Sequence, residues 1–288
     1  MMSRRNAIAC AHSDGAVGPG TAFDCKTAFR RIADDALAAI RTQHAKACVG
    51  NAEAIHQIRV ALTRLRAARA FFAAIATDAA WRDLKEEIGW LNRRLGAVRD
   101  CDVMRGYARR KAFRDWAARA GIEGSLDEAR HRRRLATALR SARYRNLMAA
   151  LAQWTAAGPW LARPDAASRA RRSEPLRTYA EKKLQRWRGR IARKGRDVGR
   201  LGDRARHDLR IEDKRYRYMV DALAALDPAL QDVWQDSGRL ARRVQRALGD
   251  LRDLQRFRKL GGKRAKLPDY KRAKRRLLRH ADAALRRL

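Results

Sequence analysis

Two segments of the chain place a histidine ahead of cationic or hydroxyl side chains at the spacing i, i+3, i+7, i+10. They are His56, Arg59, Thr63 and Arg66 in the first segment, and His207, Arg210, Lys214 and Arg217 in the second. At about 100° per residue these positions share one helix face, and at about 1.5 Å per residue they span about 15 Å. Guanidinium groups bind phosphate oxygens bidentately, and imidazole rings donate to the same oxygens. The spacing predicts two cationic stripes that can follow several linked phosphates.

Further cations extend this predicted surface. Arg64 and Arg215 stand at equivalent positions beside the two stripes. A third stripe, at i, i+4, i+8 and i+11, consists of Lys182, Arg186, Arg190 and Arg193. Like charges one turn apart destabilise an isolated helix slightly, so an anion that neutralises them is favoured. We expect the third stripe to form a second wall of the phosphate-binding surface.

The motif Leu-Gly-x-x-Arg-Asp occurs twice, at residues 95–100 and 248–253. Glycine inside a helix costs about 1 kcal/mol relative to alanine, so it needs a structural reason. We expect Gly96 and Gly249 to allow a close helix approach or to cap a helix C-terminus.

The acidic residues of these motifs are expected to support the cations. Asp100 and Asp253 can pair with Arg99 or Arg252 of the same motif, or with other basic residues nearby. A catalytic or metal site at Asp100 and Asp102 is not favoured, because the second half has Gln255 where Asp102 would recur.

These residues need helices to position them. Apolar residues recur at three- and four-residue spacing and no segment alternates with period two, which predicts an all-α fold. The core-facing positions are Ile55, Ile58, Leu62 and Leu65 in the first stripe's helix, and Leu209, Tyr216 and Val220 in the second. Each stripe therefore lies on an amphipathic helix.

The chain also aligns with itself. The stripe helices, the Leu-Gly-x-x-Arg-Asp motifs, the tryptophans Trp81 and Trp234, and the segments starting at Phe29 and Leu176 recur in the same order at nearly constant separation. We interpret this as an internal duplication: a flexible tail at 1–25, a first helical repeat at 26–157, a linker at 158–175 and a second helical repeat at 176–288.

Each repeat is predicted to hold four helices, and two packed four-helix bundles are the natural architecture. In the first repeat the closing helix is expected to begin at Ser125, where Ser125-x-x-Glu128 has the form of a capping box, and to run to about Trp154. In the second repeat the closing helix follows Pro268 and runs to the C-terminus.

Composition restricts the partners. The 288 residues contain 68 Lys and Arg against 31 Asp and Glu, a formal charge of +37, which favours a polyanionic partner.

The four cysteines, Cys10, Cys25, Cys48 and Cys101, have no zinc-site spacing, so we expect reduced thiols, no metal and no cofactor. No apolar segment is long enough to span a membrane and no signal peptide is evident, so a cytoplasmic location without membrane insertion is expected.

Four ordered motifs resemble the CHAD family over roughly residues 26–288: His56-x2-Arg59-x4-Arg64-Leu65-Arg66, Leu95-Gly96-x2-Arg99-Asp100, His207-x2-Arg210-x3-Lys214-Arg215-x-Arg217 and Leu248-Gly249-x2-Arg252-Asp253. The resemblance implies two four-helix bundles related by pseudo-twofold symmetry, with a basic central groove that binds inorganic polyphosphate. It implies that role for His56, Arg59, Arg64, Arg66, His207, Arg210, Lys214, Arg215 and Arg217. Some members are linked to polyphosphate granules.

Two features depart from the family. No Glu-x-Glu-x-Lys signature of a CYTH triphosphatase domain appears, so the resemblance implies no such activity. Thr63 stands where the second half has Lys214, which predicts weaker contact on the first side.

Two other functions stay open at this point. The net charge also fits a nucleic-acid binder, although few aromatic residues lie among the cations to stack on bases. A phosphate-processing enzyme is less favoured, because the chain lacks a Gly-rich phosphate loop and a repeated carboxylate cluster. We therefore predict a non-enzymatic protein that binds polyphosphate.

Overall fold

The computed structural model describes residues 23–262 and 266–288, and within them the fold is all-α, as predicted. Twelve α-helices occur in these residues: α1 (Cys25–Cys48), α2 (Ala52–Phe71), α3 (Ala80–Ala108), α4 (Arg114–Arg119), α5 (Ile122–Ser125), α6 (Glu128–Arg140), α7 (Ala142–Ala157), α8 (Ala166–Ser173), α9 (Leu176–Gly195), α10 (Asp203–Leu226), α11 (Pro228–Leu260) and α12 (Tyr270–Leu285). The second half contains the four helices that the sequence predicts, α9 to α12.

Short polar side chains cap the helices that carry the first stripe and its neighbours. The Asp24 carboxylate accepts a hydrogen bond from the Thr27 amide at 2.6 Å and starts α1. Gly50, with a φ of 86°, turns the chain after α1, and the Asn51 side chain then accepts from the Ala54 amide at 2.9 Å to start α2. The first stripe thus begins one turn after a well-capped helix start.

The predicted closing helix of the first half is wrong in its extent. The chain from Ser125 to Trp154 forms the end of α5 and then two helices, α6 and α7. The Ser125 hydroxyl donates to the Ile122 carbonyl at 2.7 Å, so it makes no capping box with Glu128. Helix α6 ends at Arg140, and the hydroxyl of the next residue, Ser141, accepts from the Tyr144 amide at 3.2 Å and starts α7. The apolar period alone predicts one helix here, but Ser141 caps the start of a second helix and so divides the segment into two.

The predicted tail and linker meet in space. Residues 1–22 of the predicted tail lie outside the described residues. The Cys25 amide donates to the Glu174 carbonyl at 3.0 Å, and the Leu176 amide donates to the Phe23 carbonyl at 2.8 Å. The start of α1 is thereby held beside the start of α9, with a short 3₁₀ helix (Pro159–Leu161) and α8 in the predicted linker.

One large hydrophobic core runs through residues of both halves. The core-facing positions predicted on the two stripe helices are buried, as are Leu176, Ala180, Leu184, Trp187 and Ile191 of α9. Phe29, Trp154 and Trp160 pack edge to face around the start of α1, with centroids 5.1 to 5.8 Å from Phe29. Helix α2 packs against α10, which brings the two stripe helices together across the middle of the molecule.

A smaller core joins the C-terminal ends of α3 and α11 with α4, α5 and the first half of α12. Tyr107, Trp116 and Phe257 form an aromatic cluster there, with Phe257 5.2 to 5.4 Å from the other two rings. In the described part of the chain, no helix combines the length and the apolar character needed to cross a bilayer.

Candidate functional site

Lys214 stands at the centre of the cations that the sequence singles out. Four other cations act on its ammonium group: Arg210 and Arg217 from its own helix, and Arg59 and Arg66 from α2. Burial and these positive neighbours lower the pKa of Lys214 to about 7. The packing of α2 against α10 therefore combines the two predicted stripes into one cluster.

Cations of the two stripe helices lie near each other across the packing of α2 against α10. Arg59 is among the charges that act on Arg210, and Arg215 is the charge that acts on Arg66. Burial lowers the pKa of Arg59, Arg66 and Arg210, although a guanidinium so lowered stays protonated at neutral pH. The cluster thus holds permanent charge that is partly removed from water.

Each stripe histidine lies beside the arginine of a Leu-Gly-x-x-Arg-Asp motif. Burial first, then Arg99, lowers the pKa of His56, and burial first, then Arg252, lowers that of His207. The Arg252 guanidinium also donates a hydrogen bond to Nδ1 of His207, which requires that nitrogen to be unprotonated. Arg99 and Arg252 therefore lie next to the histidines, and their supporting role stays a prediction.

The two motif glycines differ from each other. A β-carbon on Gly96 would come within 2.9 Å of Nη1 of Arg59, so this glycine gives the guanidinium its space. A β-carbon on Gly249 would have no atom of the described chain within 4 Å. Both glycines lie inside long helices, so the C-cap alternative is wrong. The prediction of a close approach is confirmed for Gly96, which the Arg59 side chain approaches, and is wrong for Gly249.

The two motif aspartates, Asp100 and Asp253, do not make equivalent ion pairs in the two halves. Asp100 binds Arg256 of α11 bidentately, with both N–O distances at 2.7 Å. Of the two predicted alternatives for Asp100, the pairing with Arg99 of its own motif is therefore wrong, and the pairing with another basic residue nearby is confirmed. Burial raises the pKa of Asp253, and Arg210 and Arg256 oppose that rise. Arg256 is a site residue that the sequence analysis missed, although it lies one turn after Arg252 on the same helix.

A buried carboxyl group lies on the helix of the second stripe, where Arg217 and Arg210 act on it. Asp213 is fully buried, and neither of its oxygens has a hydrogen-bond partner among the described residues. Burial raises its pKa well above the ordinary value, while Arg217 and Arg210 act in the opposite direction. The charged form of Asp213 is therefore disfavoured, and this carboxyl is not among the charges that act on Lys214.

Other contacts hold the end of the second stripe. Arg217 donates to Asp221 at 2.6 Å and to Gln245 at 2.7 Å, and its guanidinium lies 4.1 Å from the centre of the Tyr218 ring. The Lys214 ammonium lies 5.6 Å from the same ring. In the first stripe the Thr63 hydroxyl donates to the Arg59 carbonyl at 2.7 Å, so it is occupied within its own helix.

Arg64 and Arg215 flank the cluster as half-buried side chains. The Nε atom of Arg64 is buried without a partner in residues 23–262 and 266–288, as is Nε of Arg210. Unsatisfied buried donors carry a desolvation penalty of about 1–3 kcal/mol each, which an anionic acceptor in reach would relieve.

The third stripe lies apart from this arrangement. Lys182, Arg186, Arg190 and Arg193 are all exposed on α9, and the cations that act on Lys214 all belong to α2 or α10. Its role as a second wall stays a prediction.

A cavity of about 510 Å³ opens beside the second stripe. Cationic or imidazole side chains dominate its lining: Arg204, Arg206, His207, Arg210, Arg252, Arg256 and Lys259. Leu248 and Leu251 form its apolar floor. The arrangement suits an anion whose oxygens accept several charge-assisted hydrogen bonds.

Carboxylates near the site are engaged with arginines. Arg132 donates to Asp102 at 2.7 Å, to Glu128 at 2.6 Å and to the Gly50 carbonyl at 2.6 Å. In the described residues, no group of three or more His, Cys, Asp or Glu side chains is arranged to hold a metal ion. Asp102 therefore ties α3 to α6.

Comparisons with known proteins place this chain in a family. The crystal structure of the CHAD domain from the plant Ricinus communis superposes with a TM-score of 0.67 at 22% identity, covering 94% of this chain and 96% of that one. At this identity the likeness shows a shared fold. A comparison with curated proteins gave no match. The family model of the CHAD domain matches residues 31–261, most of the chain. This protein therefore belongs to the CHAD domain family.

Proposed function

We propose that this protein binds inorganic polyphosphate, without turning it over, along the cations of α2 and α10. The observation that carries the proposal is the position of Lys214 among Arg59, Arg66 and other cations drawn from both stripe helices. Such a cluster repels itself, and burial disfavours the charged form of the Asp213 carboxyl near Arg210 and Arg217. A polyanion supplies the charge that the cluster lacks.

A linear phosphate polymer fits better than a single phosphate ion. The cations follow two packed helices, and each stripe spans about 15 Å, so several anionic groups are needed to engage them together. Guanidinium and ammonium donors recognise phosphate oxygens without reading a base. The CHAD family is associated with polyphosphate binding, which supports the same ligand.

The decisive experiment compares ligands at matched ionic strength. Affinities for long-chain polyphosphate, tripolyphosphate and RNA are measured by competition at equal phosphate concentration. We expect long-chain polyphosphate to displace RNA and to bind more tightly per phosphate than tripolyphosphate, with affinity falling steeply as salt rises. Polyphosphate that fails to displace RNA would favour a nucleic-acid binder, and equal affinity per phosphate would contradict a continuous site.

The absence of turnover is tested separately. The purified chain is incubated with polyphosphate and Mg²⁺, and free phosphate is measured over time. We expect no release above that of a chain-free control. Magnesium-dependent release would replace binding by a phosphate-processing activity. A cytoplasmic location and recruitment to polyphosphate granules stay predictions from the family resemblance.

A further inference from the structure

A second cationic cavity lies at the junction of α11 and α12. It has a volume of about 850 Å³, and six of the residues that line it are cations: Arg258, Lys259, Lys266, Lys271, Arg272 and Arg275. Asp269 is the one carboxylate among its described lining residues. This excess of positive charge is local, beyond what the net charge of the chain alone requires.

These six cations differ from many others in the protein. Arg132, Arg143 and Arg177, for example, each bind a carboxylate at 2.6 or 2.7 Å. Within residues 23–262 and 266–288, none of the six cavity cations has a carboxylate oxygen within 4.0 Å. Their charges are therefore left for an external anion.

The walls of the cavity are anchored in the smaller core. Phe257 and Leu267 are buried there, and Tyr270 packs against the same cluster. The Arg258 guanidinium lies 4.4 Å from the centre of the Tyr270 ring, which links the end of α11 to the start of α12. The cations thus project from a packed support.

The cavity shares one lining residue with the cavity beside the second stripe. Lys259 lines both the 510 Å³ cavity, with His207 and Arg252, and the 850 Å³ cavity. Arg252 and Lys259 are seven positions apart on α11, a distance of about 10 Å along the helix. One extended anion can therefore follow α11 from the first cavity into the second.

We propose that the α11–α12 cavity is a second binding subsite, which holds the part of a long polyphosphate chain that extends past Lys259. The inference rests on the proposed function, and it adds a physical basis for chain-length preference. A short oligophosphate engages the α2–α10 cluster alone, whereas a long chain engages both regions. Each additional phosphate contact releases counterions and steepens the salt dependence of binding.

The test removes three exposed cavity cations and leaves the shared Lys259 in place. The cavity variant is Lys266→Gln/Arg272→Gln/Arg275→Gln. The matched control is Arg82→Gln/Lys85→Gln/Arg93→Gln, which removes the same charges from a pocket on α3 that also contains Glu86 and Glu87. Affinities for tripolyphosphate and long-chain polyphosphate are measured over a range of salt concentrations.

We expect the cavity variant to lose at least about fivefold in affinity for the long chain, with tripolyphosphate affinity unchanged. Its salt slope for the long chain should fall by about 2, because three contacts contribute about 0.7 each. The control should resemble the parent. An equal loss in the control, a loss of tripolyphosphate binding, or an unchanged long-chain affinity would each overturn the second subsite.

Failure of the proposed function has a different signature. A parent protein that binds neither ligand removes the proposed function, and with it this inference. A parent that binds both, with a cavity variant that does the same, removes the subsite alone. Circular dichroism checks the fold. If the triple variant loses helicity, the single variants Lys266→Gln and Arg275→Gln are compared with Lys85→Gln and Arg93→Gln by the same criteria.

Discussion

The guanidinium of Arg59 occupies the space above Gly96, where a β-carbon would lie 2.9 Å from Nη1. Gly249, the equivalent glycine by sequence, faces no such neighbour within 4 Å of the described chain. The two halves therefore use one motif differently, and the pair offers a direct comparison.

Gly96→Ala should separate stability from binding. Alanine is favoured over glycine inside a helix by up to about 1 kcal/mol, and the end of an arginine side chain moves at little cost. We predict unfolding free energy equal to or above the parent's, with weaker polyphosphate binding because Arg59 is displaced. Denaturant unfolding and a binding titration measure the two quantities.

Gly249→Ala is the control for that change. It should give the same gain in helix stability and leave Arg59 in place. If Gly96→Ala binds polyphosphate as tightly as Gly249→Ala does, the position of Arg59 over Gly96 has no role in binding.

Removing the facing arginines should disable the cluster. We predict that Arg59→Ala/Arg210→Ala loses at least about tenfold in polyphosphate affinity, because hydrogen bonds to charged groups contribute about 1.5–3 kcal/mol each. The fold should persist, since the change also removes repulsion around Lys214. Titration calorimetry measures the affinity and circular dichroism the fold.

Two comparisons accompany that variant. Arg82→Ala/Arg93→Ala removes equal charge from α3 and should bind almost as the parent does. Arg186→Ala/Arg190→Ala tests the predicted wall on α9, where a loss as large as that of the facing pair would support the wall. A folded Arg59→Ala/Arg210→Ala protein with parental affinity would remove the stripes from the mechanism.

Polyphosphate binding should be coupled to proton uptake at Lys214. Burial and neighbouring cations hold the pKa of this lysine at about 7, and an anion beside it raises that pKa. We predict net proton uptake on binding between about pH 7 and 8, seen as a dependence of the calorimetric heat on buffer ionisation enthalpy. Lys214→Met should reduce the uptake, and an unchanged uptake would assign it to other groups such as the histidines.

The same lysine should affect stability without ligand. Because its pKa is lower in the folded chain than the ordinary value of 10.5, the unfolded chain binds more protons between about pH 7 and 10.5. The unfolding free energy should therefore rise with pH across that window. This gain is complete above about pH 10.5 and is lost as the pH falls to about 7. Urea unfolding of the parent and Lys214→Met should show a flatter pH dependence in the variant.

Asp213→Leu should stabilise the protein. The carboxyl is fully buried with both oxygens unpartnered in the described residues, and Leu62 holds the equivalent position in the first half. We predict a gain of about 1–3 kcal/mol in unfolding free energy at pH 7. The raised pKa makes Asp213 least unfavourable in acid, so the gain should shrink as pH falls towards 4. A destabilised variant would show that Asp213 is needed as a partner of Arg210 or Arg217.

Some features were readable from local patterns. The apolar period predicted the buried faces of α2, α9 and α10 because a helix on a core must bury one side whatever its partner is. The cationic face of the stripe helices follows from the same period. The helix break at Ser141 was not readable, because serine fits a helix interior, an N-cap or a turn, and tertiary packing selects among them.

By itself, the sequence determined the helical class, the charge and the residue sets that carry it. Helix periodicity and ionisation depend on residue type and near neighbours, which is why those predictions needed no tertiary contact. The tertiary structure alone decided that α2 lies against α10, that Arg59 sits over Gly96 and that Asp100 binds Arg256 of the other half. Those relations join residues far apart in the chain, and only the packing of the shared core determines which distant side chains meet.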